Sequence, residues 1–275
     1  LAILGLETAW HSPWRWIKNI YYGFREIFNP HPPELLVLEM GVDRPRDMDM
    51  LLSIARSDIG VVTAIGQIPV HVEFFAGAEE VAREKSKLIK SLSAQGHAIL
   101  NADDDVVYDM KEKTNAHVHT YGFGAGADMI ASNYKINEEG ISFKVDYEGA
   151  SVPVRLSGVF GNHHVYPALA ALLVGSSLGM NLIEMAESLY RYKSSPGRMR
   201  MIEGIKGSKI VDDSYNASPL ATHAALDTLK ELSAKRKIVV FGDMLEIGKY
   251  TIEAHKAVGE RVSNVADNFV TLGPR

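Results

Sequence analysis

Short apolar runs alternate with amphipathic stretches along most of this 275-residue chain. The runs at residues 59–64 and 97–101 are typical of buried strands. The stretches 47–57 and 79–95 repeat their apolar residues with helical spacing. A further apolar run, residues 35–38, also predicts a buried strand. Strands that alternate with helices in this way predict an α/β fold, with a largely parallel sheet flanked by helices.

The pattern changes twice further along the chain. Between residues 117 and 156, short runs separated by glycines predict a small antiparallel section, and two helices follow it. The sequence Ser-Ser-Pro-Gly at 194–197 is the strongest candidate for a linker, and after it the alternation of strands and helices restarts. We therefore predict a central domain over residues 1–193 and a second, truncated Rossmann-like α/β domain over residues 194–275.

The beginning of the chain has a different pattern. Ser12 can cap a helix that has Pro13 in its first turn. Apolar residues then recur at alternating spacings of three and four and form one stripe, which comprises Trp10, Trp14, Ile17, Tyr21, Phe24 and Phe28. We interpret residues 12–29 as an aromatic helical insertion that packs on its own domain. A face that contacts a membrane surface or a partner is the alternative.

Composition narrows the class of protein. Apolar residues make up 46% of the chain and charged residues 23%, as in ordinary globular domains. The net charge of −5 provides no basic field for nucleic acid, which is therefore not an expected partner. The absence of Cys excludes disulfides, thiolate nucleophiles and Cys-ligated zinc, and it permits the cytoplasmic location that we predict without proving it. No apolar run has the roughly 18 residues that a membrane span needs. The chain begins and ends in apolar runs and lacks an initial Met, so we expect a piece of a longer protein.

Candidate metal ligands follow two of the predicted strands. Glu39 comes directly after the run at 35–38, and His71 lies in the loop after the run at 59–64. Ligands collect at the carboxyl ends of parallel strands, so a carboxylate and an imidazole there are a plausible metal pair. A solvated acid and a surface histidine are the alternatives. Lys85 lies on the following helix, in a run of charges that alone predicts only a solvated face.

Polar groups also cluster at two later positions. Residues 101–105, Asn-Ala-Asp-Asp-Asp, follow a strand and suit either a cation or a helix cap equally well. A glycine-containing segment ending in His163 and His164 opens a helix, where backbone can approach a phosphate or a base. It is not followed by Lys-Ser/Thr, and the phosphate-loop pattern Gly-x-x-x-x-Gly-Lys-Ser/Thr occurs nowhere in the chain.

The predicted linker is followed by a third candidate region. Arg198 comes directly after it, where a guanidinium can reach a triphosphate. Asp213 and Asn216 lie in the loop between a predicted strand and a predicted helix. They offer a carboxylate and an amide to the same potential binding pocket. A helix cap is the alternative interpretation of this second segment.

These segments, taken in this order, resemble the Mur ligases. The matching segments are Leu38-Glu39-Met40-Gly41, His71-Val72-Glu73, Val81-Ala82-Arg83-Glu84-Lys85, Asn101-Ala102-Asp103-Asp104, Pro196-Gly197-Arg198-Met199, Asp212-Asp213-Ser214-Tyr215-Asn216-Ala217 and Gly242-Asp243-Met244 with Glu246 and Gly248. The last two are similar to the branch of the family that adds D-alanyl-D-alanine. The resemblance runs from about residue 35 to the end, and the combination is highly specific although each segment is short.

The resemblance implies a function and a set of roles. Glu39 would ligate one Mg²⁺ near the nucleotide phosphates. His71 would ligate a second Mg²⁺, and Lys85 would carry a carbamate that binds this second ion. Together with Arg198, His71 and Lys85 would take part in catalysis. Residues that would bind ATP are Asn101, His163, His164, Arg198, Asp213 and Asn216. The substrates would be a UDP-MurNAc-peptide and D-alanyl-D-alanine, joined through an acyl phosphate.

The sequence departs from the family pattern at two points. The family's Gly-x-His-Asn-x-x-Asn element, which helps to hold adenine, has His164 and Pro167 at its two Asn positions. The family's phosphate loop is absent, so we expect no ligase activity from this chain alone and an open joint between the two domains. Two alternatives stay open: a metal-dependent phosphohydrolase that uses Glu39, His71 and Asp103, and a non-catalytic binding or scaffold protein derived from a Mur ligase.

Overall fold

The computed structural model describes residues 12–28, 34–137 and 139–274. The chain divides into two compact units, residues 1–40 and residues 41–275. The first unit contains one described helix, α1 (Pro13–Ile27). The strand predicted at 35–38 is wrong: the backbone there is irregular, and no described strand pairs with it. Its side chains are exposed, Val37 to 82%. An apolar run becomes a strand only where a neighbour supplies hydrogen bonds, which a sequence pattern does not show.

Helix α1 has the predicted position, but the described residues of its apolar stripe are exposed, and Trp10 lies outside the described residues. Trp14 is 80% exposed, Phe24 64% and Phe28 81%. Asn19, on the polar side of the helix, is the only buried residue among the described side chains of α1. The structure is therefore contrary to the expectation of a packed stripe. Among the described residues, no helix is long and apolar enough to cross a membrane.

The second unit is built on a six-stranded sheet whose strands follow one another in chain order. The strands are β1 (Ile59–Val62), β2 (His97–Asn101), β3 (His117–Gly122), β4 (Met129–Asn137), β5 (Gly140–Tyr147) and β6 (Ala150–Ser157). Strands β1 to β4 pair in parallel, and β5 and β6 add two antiparallel pairings. This confirms the predicted α/β fold with its small antiparallel section.

Helices cover both faces of the sheet. They are α2 (Asp47–Ile54), α3 (Ala78–Lys90), α4 (Asp105–Tyr108), α5 (Val165–Ser177) and α6 (Leu182–Leu189). Successive residues of a strand point to opposite faces. Accordingly, Ile99 joins one fully buried cluster with Leu169 of α5, and Leu100 joins another with Ile89 of α3. Helix α5 is apolar on nearly every side, so it is buried at the centre of the larger cluster.

The chain after residue 197 forms further strands and helices. They are β7 (Arg200–Glu203), β8 (Lys209–Asp212), α7 (Pro219–Glu231), β9 (Ile238–Phe241), α8 (Thr251–Ser263) and β10 (Asn268–Thr271). Strands β9 and β10 pair in parallel, whereas β8 pairs antiparallel with β7. Ser218 caps α7 and Pro219 follows in its first turn, which confirms the cap interpretation of this end of the 212–219 segment.

The central and C-terminal parts of the second unit share a buried apolar cluster. Val72, from the loop after β1, and Val81, from α3, are buried together with side chains from the C-terminal part: Leu226, Met244, Ile247, Ala254, Val258 and Val262. The expected open joint is therefore wrong, because the two parts meet over a packed surface. The boundary at residue 194 stays a prediction.

Candidate active site

His71 lies in the turn that follows β1 and contacts two carboxylates. Its backbone is left-handed, with φ at 65°, and the side chain is one-quarter exposed. Its Nδ1 lies 2.5 Å from Oε2 of Glu246, and its Nε2 lies 3.3 Å from Oδ1 of Asp43. Glu246 is also left-handed, with φ at 61°. Non-glycine residues hold this conformation at a cost of roughly 1–3 kcal/mol, so the surrounding contacts must fix both.

Lys85 and Lys87 lie on the same helix in different surroundings. Burial lowers the pKa of Lys85, which makes no hydrogen bond or ion pair within the described part of the chain. Burial also acts to lower the pKa of Lys87, but the carboxylates of Asp49 and Glu84, 2.6 and 2.8 Å from its Nζ, raise it overall. Lys87 therefore joins α2 to α3, whereas Lys85 is a half-buried amine that has no counter-ion among the described residues.

The acidic segment after β2 organises the neighbouring loops. Asn101 donates to the carbonyl oxygen of Thr63 and accepts from the N–H of Asp103. Asp104 caps α4 and also accepts from the backbone N–H groups of Ile65 and Gly66. The cap interpretation is thus the one that the structure supports for Asp104. A direct contact between Asn101 and a nucleotide stays a prediction.

His163 and His164 form a buried pair of imidazoles. Their ring centroids are 4.4 Å apart, and they lie just before α5. Burial lowers the pKa of His163 to about 4 and that of His164 to about 3, so both rings are neutral near pH 7. Nδ1 of His163 and Nε2 of His164 are buried and have no hydrogen-bond partner in the described chain. Adjacent Gly161 approaches Thr228 of α7 closely.

The joint between the two parts is held by backbone hydrogen bonds to carboxylates. The N–H of Gly197 donates to Asp212, and the N–H of Met199 donates to Asp213. Between them, the Arg198 guanidinium lies over the ring of Tyr215, 4.2 Å from its centroid. Burial raises the pKa of Asp213, against the lowering effect of the Met199 N–H and of the Arg198 cation. The joint therefore presents a cation on an aromatic platform.

The predicted site residues thus fall into separate groups. Arg198 and Asp213 come together, and so do His163 and His164, whereas Asn216 is exposed beside the joint. Glu39 belongs to the first unit, where its side chain is exposed in the irregular segment. Within residues 12–28, 34–137 and 139–274, no three His, Asp or Glu side chains are placed to hold a metal ion together. The two carboxylates at His71 approach opposite ring nitrogens, so they do not converge on one point.

Three contacts were not predicted from the sequence. Asp43 and Glu246 approach His71, and Tyr215 supports Arg198. Glu246 and Tyr215 lie inside the segments that resemble the family, so the motifs marked the right places without giving the contacts. No local pattern around Asp43 points to its role.

Comparison with known proteins also separates a central part of the chain from a C-terminal part. Residues 24–175 match the Mur ligase middle domain, and residues 197–275 match the Mur ligase, glutamate ligase domain. The chain belongs to the Mur ligase family. The UDP-N-acetylmuramoyl-tripeptide–D-alanyl-D-alanine ligase of Bacillus subtilis (strain 168) is 30% identical over 275 residues, covering 99% of this chain and 58% of that protein.

Two solved structures of the family have the same fold. MurF ligase from Thermotoga maritima, in complex with ADP, matches 90% of this chain at 30% identity, with a TM-score of 0.79. MurF from Acinetobacter baumannii matches 86% at 26% identity, also with a TM-score of 0.79. The chain covers 56% and 51% of these two proteins, so it spans about half of their length.

Proposed function

We propose that this Mur ligase chain is part of a cytoplasmic, ATP-dependent enzyme that adds D-alanyl-D-alanine to a UDP-MurNAc-peptide. The similarity to the Bacillus subtilis ligase supports the substrates, and the ADP complex of the Thermotoga maritima protein supports the nucleotide. The single observation in this chain that carries the proposal is the environment of Lys85. An amine that is half-buried and lacks a counter-ion is costly to keep unless it has a function.

The environment of Lys85 suits carbamylation. Only the neutral amine attacks CO2, and the N–C bond that forms releases one proton and leaves an anionic carbamate. Burial lowers the pKa of Lys85 and so increases the fraction of neutral amine near pH 7. The modification would replace an unpaired cation by two oxygen atoms, the type of ligand that Mg²⁺ prefers. By contrast, Lys87 is held as a cation by Asp49 and Glu84.

The residues proposed to bind Mg²⁺ have only some of the contacts that such a site needs. A carbamylated Lys85 would offer oxygen ligands, but both ring nitrogens of His71 already contact carboxylates. His71 must leave Glu246 or Asp43 before it can bind a cation. We therefore retain Glu39, His71 and Lys85 as proposed ligands, and no step of the reaction is assigned to the metal.

The nucleotide is proposed to bind between the buried histidines and the joint. The unpaired nitrogen atoms of His163 and His164 can exchange hydrogen bonds with an adenine ring. Arg198 can contact the phosphates, because its guanidinium is exposed and held in place by Tyr215. Asp213 and Asn216, three residues apart in the loop between β8 and α7, are proposed to bind the ribose hydroxyls.

The proposed reaction has two steps. A carboxylate oxygen of the UDP-MurNAc-peptide attacks the γ-phosphorus of ATP, the bond to the β-γ bridging oxygen breaks, and ADP leaves. The amine of D-alanyl-D-alanine then attacks the acyl carbon, loses a proton and expels phosphate. Arg198 stabilises the negative charge that develops on the transferred phosphoryl group. Because no phosphate loop occurs in this chain, we expect the 275-residue chain alone to be inactive.

The test uses the full-length protein encoded by the gene and measures phosphate release that depends on D-alanyl-D-alanine. The variant Lys85→Ala is expected to lose roughly 100-fold or more of this activity, and a short carboxylic acid added in solution should restore part of it. The matched control is Lys87→Ala, which removes a lysine from the same helix and should keep most of the activity. Equal losses in both variants would reject the proposed role of Lys85.

The structure disfavours a phosphohydrolase built on Asp103. Both carboxylate oxygens of Asp103 already accept backbone hydrogen bonds, from Phe123 at 2.6 Å and from Gly124 at 3.1 Å. The full-length protein could also release phosphate neither with the amine substrate nor from simple phosphomonoesters. In that case we would infer a non-catalytic scaffold protein.

A further inference from the structure

Helix α1 is amphipathic in an unusual way, because its apolar side is the exposed one. Every described residue of this side is at least half-exposed: Trp14 80%, Trp16 51%, Ile17 57%, Ile20 55%, Tyr21 64%, Phe24 64% and Phe28 81%. At the helical repeat, these residues cover an arc of about 160°. Monomeric proteins rarely expose so continuous an apolar surface unless it binds something.

The aromatic residues have a characteristic distribution around the helix. On a helical projection, Trp14 and Trp16 lie at the two borders of the apolar arc, with Tyr21 and Phe24 between them. Tryptophan at such a border can insert its apolar ring while its indole N–H reaches polar groups. A face that packs against another protein core has no need to place tryptophan at both borders.

Basic residues lie next to this apolar arc. Lys18 and Arg25 follow directly on the Trp14 border, and both lie close to the ring of Tyr22, at 5.9 and 5.7 Å. The α1 sequence contains three basic residues and one acidic residue, a net charge of +2, in a chain whose net charge is −5. The helix is therefore a local basic feature on an acidic protein.

From these observations we propose that α1 binds an anionic lipid surface, with its axis in the plane of the interface. The apolar arc enters the boundary between head groups and acyl chains, and Lys18 and Arg25 contact the lipid phosphates. An anionic membrane is favoured over a second copy of the chain because α1 itself carries a net charge of +2. Two copies that met through this helix would bring like charges together, whereas an anionic lipid surface attracts them. This places the proposed ligase at the membrane surface.

The three tryptophans of the chain, at positions 10, 14 and 16, make the test direct. Their fluorescence reports on this segment alone. The 275-residue chain is titrated with vesicles of phosphatidylcholine, and with vesicles in which phosphatidylglycerol replaces about one-third of it. The anionic vesicles should shift the emission to shorter wavelength and co-sediment with the protein. Affinity for them should be on the order of tenfold higher than for neutral vesicles, because each basic residue adds attraction.

Two variants and a control assign the effect to the helix. Ile17→Glu with Phe24→Glu should abolish binding, and Lys18→Glu with Arg25→Glu should remove the preference for anionic vesicles. Ile205→Glu alters a residue that is 83% exposed in the second unit, and it should bind like the unaltered chain. Circular dichroism and thermal unfolding show whether each variant remains folded.

Three results would overturn the proposal. One is equal binding to neutral and anionic vesicles. Another is emission that is already at short wavelength without lipid and does not respond to vesicles, which would mean that another part of the chain covers the face. The third is a dimer in solution that Phe24→Glu dissociates, which would assign the face to a second copy.

Discussion

The central and C-terminal parts of the second unit meet in two regions of different chemistry. At the joint, backbone N–H groups of Gly197 and Met199 bind carboxylates, and most of the side chains are accessible to solvent. At the shared cluster, Val72 and Val81 are buried against Met244 and its apolar neighbours. The hydrogen bonds at the joint fix the backbone on both sides of Arg198 and so position its side chain. The shared cluster supplies the apolar burial that keeps the two parts together.

This difference indicates which region can respond to a ligand. His71 lies next to Val72 and contacts Glu246, so a cation that takes His71 must disturb the edge of the shared cluster. The joint contains no such competition, because its carboxylates bind backbone groups. A cation at His71 is therefore expected to act on the packing of the shared cluster.

The largest predicted effect is at the shared cluster. Met244→Ala removes a fully buried side chain and should lower the free energy of unfolding by about 2–5 kcal/mol. Its neighbour Leu245 is 55% exposed, so Leu245→Ala is the matched control and should change stability by less than about 0.5 kcal/mol. Urea unfolding monitored by circular dichroism measures both. A similar loss in the two variants would mean that burial at Met244 is not what holds this region.

An intermediate effect is expected on acidification, through the histidine pair that adjoins α7. Burial lowers the pKa of His163 to about 4 and that of His164 to about 3, from 6.5. Below pH 6.5 the unfolded chain therefore binds protons that the folded chain does not, so stability falls as the pH falls. The stability that the two neutral rings contribute above pH 6.5 should therefore be lost progressively as the pH falls towards about 4.

The double variant His163→Asn with His164→Asn separates this effect from that of the carboxylates. Its stability should depend less on pH than that of the unaltered chain over the same range. The control His117→Asn alters an exposed histidine outside the pair and measures the effect of a histidine-to-asparagine change elsewhere in the chain. Chemical unfolding at several pH values provides the comparison, and identical slopes in all three proteins would show that the pair is solvated.

The smallest effect is expected at the joint. Gly197 and Gly207 have nearly equal left-handed φ angles, 74° and 72°. A Cβ on Gly197 would lie 3.0 Å from Tyr215, whereas one on Gly207 would meet nothing within 4 Å. Both alanine variants share a backbone cost of roughly 1 kcal/mol, so Gly197→Ala should be more destabilising by about 1 kcal/mol. Thermal unfolding distinguishes them, and equal destabilisation would show that the joint is not tightly packed against Tyr215.

The sequence predicted the elements better than their pairing. The helical spacing predicted α3 and α5, and the apolar runs predicted β1 and β2, because each signal is contained in one stretch of chain. The run at residues 35–38 has the same signal as β1, yet it forms no strand. A strand requires a partner, and the identity of that partner is not a local property.

The site shows the same limit. The motifs marked Arg198 and Asp213, and the structure places them together at the joint. They did not reveal that Glu246, far away in the sequence, approaches His71, because that contact depends on how the two parts pack. The aromatic stripe was identified as an amphipathic helix, but the pattern alone did not show that its apolar side is exposed.

The shared cluster also constrains how the two parts can change over evolutionary time. Val72 and Val81 complete the packing of Met244 and Ile247, although they are separated from them by most of the chain. If the C-terminal domain were replaced by that of a relative, Val72 and Val81 would pack against different side chains and would no longer fit them closely. Substitutions on one side therefore favour compensating substitutions on the other, and the two domains are expected to be inherited as a matched pair.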